Sequence, residues 1–226
     1  MIFMKKTLLL ASVLAAISSL VAGCAPVVVG GAVAATGTAV STATDRRSTG
    51  SVVNDEVLEK RIPWEISQRL GDTPSHITAT AYNGKVLLTG EVPTESARAV
   101  ASEVAKTSLD VGEVINELAV QENVSAMQRL SDSTLATKVR SRLIATKDVY
   151  LNQMKVTVDR GIVYLMGLVT PEENKIACET AAKTSGALRV ISVCEVMSAE
   201  LIKQRIKDME VAPEAVTEGQ TAQVVE

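Results

Sequence analysis

A nine-residue block, Gly84–Val92 (GKVLLTGEV), returns 77 residues later as Gly161–Val169 (GIVYLMGLV). Val86, Leu88, Gly90 and Val92 fall on Val163, Leu165, Gly167 and Val169. The same shift carries Ala105-Lys106-Thr107-Ser108 onto Ala182-Lys183-Thr184-Ser185, and Asp55 onto Asp132. One offset kept over so many positions is a duplication. Two copies are too few for a solenoid, so the pattern predicts two small domains of one kind.

Each copy reads as αββαβ, which makes the fold class α+β. In the first copy, Val57 or Leu58, Ile62, Ile66 and Leu70 recur at helical spacing, predicting a helix from Asp55 with Asn54 or Asp55 as its cap. Pro63 inside that stripe predicts a kink or a late start. Residues 77–82 alternate as a strand, Asn83-Gly84 marks a tight turn, and residues 86–92 form the partner strand. A second helix over residues 94–107 and an alternating strand over 113–120 complete the copy. In the second copy a helix is predicted over 131–146 with Leu135, Val139 and Leu143 inward. A hairpin about Asp159-Arg160-Gly161 follows. Thr170, Pro171 and Glu173 then supply a capping signal for the next helix, and the last strand covers 190–197. A further helix is expected over 199–209, and the polar stretch from Val211 on reads as disordered. Gly90 and Gly167 predict a bulge or close backbone packing. The one tryptophan, Trp64, is expected in the core rather than at a partner surface.

The N-terminus is an address. Lys5 and Lys6 precede an apolar run, Leu8 to Val21, too short for an ordinary membrane span. It ends in Leu20-Val21-Ala22-Gly23-Cys24, which resembles the lipobox of bacterial lipoproteins. That resemblance implies a signal peptide over residues 1–23 and a Cys24 whose thiol receives diacylglycerol. Ala25 after the cysteine implies sorting to the outer membrane. Residues 24–50 are rich in small residues and glycine, predicting a flexible tether in which Asp45-Arg46-Arg47 sits near lipid headgroups or, more commonly for such a cluster, is merely solvated.

Strand–Asn-Gly–strand with V-x-L-x-G-x-V, a helix and a closing V-x-N-x-L strand (Val114, Asn116, Leu118) resembles the BON domain. A lipobox, a short tether bearing Asp45–Gly50 (DRRSTG) and two such copies together resemble the dual BON-domain outer-membrane lipoproteins. The domain plan is then residues 51–122 for the first BON domain and 129–198 for the second. A C-terminal helix and tail follow over 199–226. The resemblance implies a periplasm-facing, lipid-anchored protein that binds phospholipid and supports envelope integrity.

Composition narrows the chemistry. With 23 basic and 26 acidic side chains, nucleic-acid binding by overall charge is not expected. One Trp, one Phe and three Tyr are too few for base-stacking platforms. The one histidine, His76, sits near a turn and reads as solvated. No triad, metal-ligand spacing or cofactor motif can be assembled, so neither an enzyme nor a cofactor is expected. Between Arg129 and Asp148, five bases (Arg129, Lys138, Arg140, Arg142, Lys147) face two acids, whereas residues 55–72 carry net −2. A basic helix near an anionic bilayer gains about 1 kcal/mol per Lys or Arg. The expected anionic-phospholipid site is therefore the first helix of the second copy, with Lys138, Arg140 and Arg142, and with Thr134, Leu135 and Leu151 alongside. The rival reading is an interaction scaffold for envelope assembly proteins. Cys178 and Cys194 fall where Ala101 and Leu118 stand in the first copy, facing the core. In an oxidising compartment a disulfide, contributing roughly 3 kcal/mol, is expected ahead of the alternative of two buried free thiols acting as small apolar fillers.

Overall fold

The computed structural model describes residues 45–211. The expected signal peptide, Cys24, most of the expected tether and the polar tail lie outside the described residues. Helix α1 (Thr49–Leu70) opens at Ser48, whose Oγ accepts the Ser51 N–H at 3.1 Å. It thus starts six residues before Asp55 and runs through Pro63, so the expected late start does not occur. Strands β1 (His76–Tyr82) and β2 (Lys85–Val92) form an antiparallel hairpin. Helix α2 (Glu95–Thr107) follows its Thr94 cap and leads to β3 (Glu113–Asn116) and β4 (Ala119–Val120), both parallel to β2. The second copy repeats this with α3 (Ala126–Ile144), β5 (Met154–Asp159), β6 (Ile162–Val169), α4 (Pro171–Ala182), β7 (Arg189–Ser192) and β8 (Glu195–Val196). Helix α5 (Ala199–Val211) closes the described chain.

Asp55 is not a cap. It is fully buried one and a half turns inside α1, where its carboxylate accepts the backbone N–H of Asn83 at 2.7 Å and of Gly84 at 2.9 Å. Asp132 in α3 does the same for Arg160 and Gly161, both at 2.9 Å. All four turn residues have positive φ, between 51° and 75°, the conformation of a type I′ hairpin whose N–H groups point off the ladder. The duplicated aspartate therefore locks each hairpin to its first helix. Gly90 and Gly167 mark the close packing expected of them. A Cβ there would stand 2.0 Å from the His76 carbonyl oxygen and 2.4 Å from that of Gln153.

The last strand of each copy is split because a side chain interrupts it. Asn116 Oδ1 accepts the Leu118 N–H at 3.1 Å while its Nδ2 donates to the Arg98 carbonyl at 3.0 Å, and Leu118 drops into the core. In the second copy, Ser192 takes that place, its Oγ accepting the Cys194 N–H at 3.4 Å. Each sheet carries its helices on one face. Leu58, Ile62 and Ile66 of α1 and Ala97, Ala101 and Ala105 of α2 cover Ala81, Val86, Leu88 and Val92. Leu135, Val139 and Leu143 point inward as expected and cover Val156, Val163 and Leu165.

A third core lies between the copies. Tyr82 and Leu87 of the first sheet pack against Tyr164, Met166 and Leu168 of the second, so the helix-free faces of the two sheets are buried on each other. Thr80 and Thr157, the same position in each repeat, meet at 2.9 Å between hydroxyl oxygens. Lys155 crosses to Glu59 at 2.8 Å. Asn83 reaches Glu195 at 3.1 Å and accepts from Arg205 of α5 at 3.0 Å. The order is therefore helices, sheet, sheet, helices.

Replacing Asp132 with alanine strands two buried turn donors, each lost charge-assisted bond costing about 1.5–3 kcal/mol. Urea denaturation of Asp132→Ala should show at least about 2 kcal/mol of lost stability.

Candidate membrane-facing site and the arginine clasp

The residues expected to bind lipid do not converge. Helix α3 begins at the Ser125 cap, whose Oγ accepts the Gln128 N–H at 3.2 Å, and so extends five residues earlier than expected. That added turn exposes Met127 (73 %) and Leu130 (62 %), and the loop before β7 brings Leu188 (81 %) beside them. Thr134 and Lys138 line the same depression, together with Ser185 and Gly186. Leu135 borders that depression too, but it is only 5 % exposed and packs in the second core, so it is a correction as a lipid contact. Leu151 is half-buried and packs on that core. Arg140 points elsewhere, donating to the Val156 carbonyl and lining, with Leu151, a groove where β1 and β5 lie side by side. Arg142 donates to the Lys183 carbonyl at 3.0 Å. What remains at one place is an exposed apolar patch bordered by Lys138. The Ser125-x-x-Gln128 pattern is the sequence signal that would have revealed it.

Trp64 is the second correction. It is 62 % exposed on the outer face of α1, because Ile62 and Ile66 already fill the inward positions on either side of it. Cys178 and Cys194 are the third. Both are free thiols that turn toward oxygens, Cys178 toward Asn174 Oδ1 at 3.8 Å and Cys194 toward the Leu165 carbonyl at 3.4 Å. Burial pushes both thiols up, Cys194 to about 11, so both are protonated at neutral pH.

The cluster expected to be solvated is instead a clasp across both domains. Arg46 makes a fork-to-fork pair with Glu173, both contacts at 2.7 Å, and donates to the Leu168 carbonyl at 2.8 Å. Its backbone N–H bonds Gln153 Oε1 at 3.0 Å. Arg47 turns to the first domain, reaching Asp55 at 2.9 Å and lying 4.1 Å over the Tyr82 ring, while Asp45 braces it at 2.8 Å. Burial alone would raise the carboxyls of Glu173 and Asp45, but their arginine partners outweigh it and hold both below the usual range. Burial pushes the Tyr82 phenol up to about 12. Glu173 also accepts the Thr170 N–H at 2.7 Å, completing the expected capping box of α4.

Glu91 is the opposite case. It is fully buried facing the second domain, neither oxygen accepts a hydrogen bond among the described residues, and His76 Nδ1 stands 3.7 Å away. His76, at the start of β1, stands across from Glu91 of β2, with its side chain 42 % exposed.

Two sheets of this topology, each covered on one face by its own two helices, define a tandem BON-domain protein. The chain matches the BON domain over residues 54–122 and 131–197 and belongs to that family. It is a dual BON-domain protein of the DolP type. It is 36 % identical over 152 residues to the outer membrane lipoprotein DolP of Haemophilus influenzae, spanning 67 % of this chain and 79 % of that one. It is 37 % identical over 150 residues to the 21 kDa hemolysin of Actinobacillus pleuropneumoniae, spanning 66 % and 77 %. A solved structure of CdsD, a structural protein of the Chlamydia trachomatis type III secretion system, aligns over 70 % of this chain and 69 % of that one. Its identity is 13 % and its TM-score 0.27, too slight a likeness to bear on function.

Arg46→Ala should cost about 2 kcal/mol in denaturant unfolding near neutral pH. Glu173 has a folded pKa below its unfolded value near 4.5, so its contribution is full above that pH and fades as pH falls through the folded value. The gap between wild type and Arg46→Ala should therefore be constant above about pH 5 and narrow toward pH 3. Glu91→Leu, which copies the Leu168 of the second repeat, should stabilise by about 1–2 kcal/mol in the same assay by removing a buried, unbonded carboxylate.

Proposed function

We propose that this chain is a non-catalytic outer-membrane lipoprotein, held at the inner leaflet by acylated Cys24, whose second BON domain docks on anionic phospholipid and thereby supports envelope integrity. The supporting observation is the patch on α3. Met127, Leu130 and Leu188 stand exposed together, and Lys138 borders them. Apolar side chains beside a cation suit the boundary between acyl chains and headgroups, where burial of the former and attraction of the latter act together. The name of the Haemophilus relative, an outer membrane lipoprotein, is in keeping with the anchor. Among the described residues no helix is long and apolar enough to cross a membrane, so on this reading attachment rests on the acyl chains and on surface contact.

The test is binding of the mature soluble chain to phosphatidylglycerol vesicles. Lys138→Glu with Arg142→Glu should weaken co-sedimentation at least about tenfold, given about 1 kcal/mol per charge near the surface. Leu130→Asp should weaken it comparably, and raised salt should weaken the wild type. Binding that ignores all three changes would remove the reading. Arg140→Glu, on the groove side, should have the smaller effect of the arginine reversals.

A further inference from the structure

We propose that the first BON domain carries a second bilayer contact, the outer face of α1 formed by Val53, Val57 and Trp64, taking phospholipid of the leaflet in which the chain is anchored. This rests on the bilayer-docking reading only in placing the chain at a membrane, since the face, its chemistry and its test are separate.

Val53, Val57 and Trp64 are 57 %, 45 % and 62 % exposed and follow one another at helical spacing on one side of α1. Glu56, Lys60 and Arg61 complete that face. Arg61 is occupied, bonding the Leu109 carbonyl, while Lys60 is exposed and free to lay its methylene stem along apolar surface with its ammonium in the headgroups. A tryptophan with valines on one side and a lysine on the rim has the composition of an interfacial membrane contact. The repeat supports the same assignment, for a shift of 77 places Val53, Val57 and Arg61 on Leu130, Thr134 and Lys138 of α3. The two first helices thus present equivalent faces, and the aromatic side chain that α3 lacks is carried by α1.

Size and position favour lipid over a protein partner. Three apolar side chains fall far short of the roughly 800 Å² per partner of a stable protein interface, whereas a bilayer needs no matching surface. Helix α1 is also the first described element after the lipobox. Only 20 residues separate Cys24 from Asp45, a span that even fully extended reaches no more than about 70 Å. Residues 55–72 carry net −2, so this contact depends on apolar burial and not on attraction to anionic headgroups. It should therefore persist at salt concentrations that weaken the second-domain contact.

Trp64 is the only tryptophan in the chain, which makes its emission a direct report on this face. The full lipidated protein, reconstituted through its own anchor into phosphatidylethanolamine–phosphatidylglycerol vesicles, is compared with the soluble mature chain. The expected result is blue-shifted emission in vesicles that is quenched by lipids brominated near the headgroup end of the acyl chains and is unchanged by high salt. The doubly reversed Lys138→Glu, Arg142→Glu protein, still held by its anchor, should keep the shift. Val57→Asp, at a solvent-facing position, should abolish it with the circular dichroism unaltered. Unshifted emission in vesicles, or a shift that survives Val57→Asp, would overturn the proposal. So would loss of the shift in the second-domain variant, or a concentration-dependent shift of the soluble chain without vesicles, which would assign the face to a second copy. Failure of the soluble chain to bind vesicles would count against the second-domain reading alone.

Discussion

Burial of the two helix-free sheet faces against each other is the constraint on which the architecture depends. A BON sheet covers one face with its own helices and leaves the other for a partner, and here each copy uses the other copy. The central strands are consequently buried on both sides. Along β6, Val163 and Leu165 face their helices while Tyr164, Met166 and Leu168 face the first domain. The outer strands β1 and β5 lie beside the seam, and side chains of the first helices satisfy groups there. Glu59 accepts the Ala81 N–H at 2.9 Å, and Arg140 donates to the Val156 carbonyl. An exposed strand edge invites pairing with other chains, and these two contacts blunt it.

How much of this was legible depends on the range of the interaction. The αββαβ order, both hairpins, the Thr170 cap and the inward stripe of α3 are local patterns of period 2 or 3.6, and they could be read directly. Asp55 and Asp132 were visible as a repeated pair, yet their bond to a turn 28 or 29 residues away was not. The seam left a signal that the alternating motif obscured. Ile162–Val169 is apolar at nearly every position, which is how a strand covered on both faces reads. Trp64 was misplaced because helical periodicity gives a stripe but not its edges. The clasp was missed because charged residues in a small-residue linker carry no periodicity, and their partners Glu173 and Gln153 lie more than 100 positions away.

Two domains of one fold have come to present different chemistry. On α3 the exposed apolar patch sits beside a basic helix, whereas α1 pairs its tryptophan with an acidic background. The interior diverges as well. The position that holds Leu168 in the second copy holds the buried Glu91 in the first, and Leu87 stands opposite the role of Tyr164. Arg46 and Arg47 join these unlike halves, each gripping a different domain.

The meeting of Thr80 with Thr157 bears on descent. One position of a repeat touching its own counterpart is the contact found beside the two-fold axis of an isologous homodimer. A single ancestral copy pairing with itself would present this geometry, and linking the two copies in one chain makes their association independent of concentration. In a homodimer every substitution at the contact is made twice and must tolerate its own mirror. Within one polypeptide that restriction is lifted, and Tyr82 stands where the second copy has Asp159.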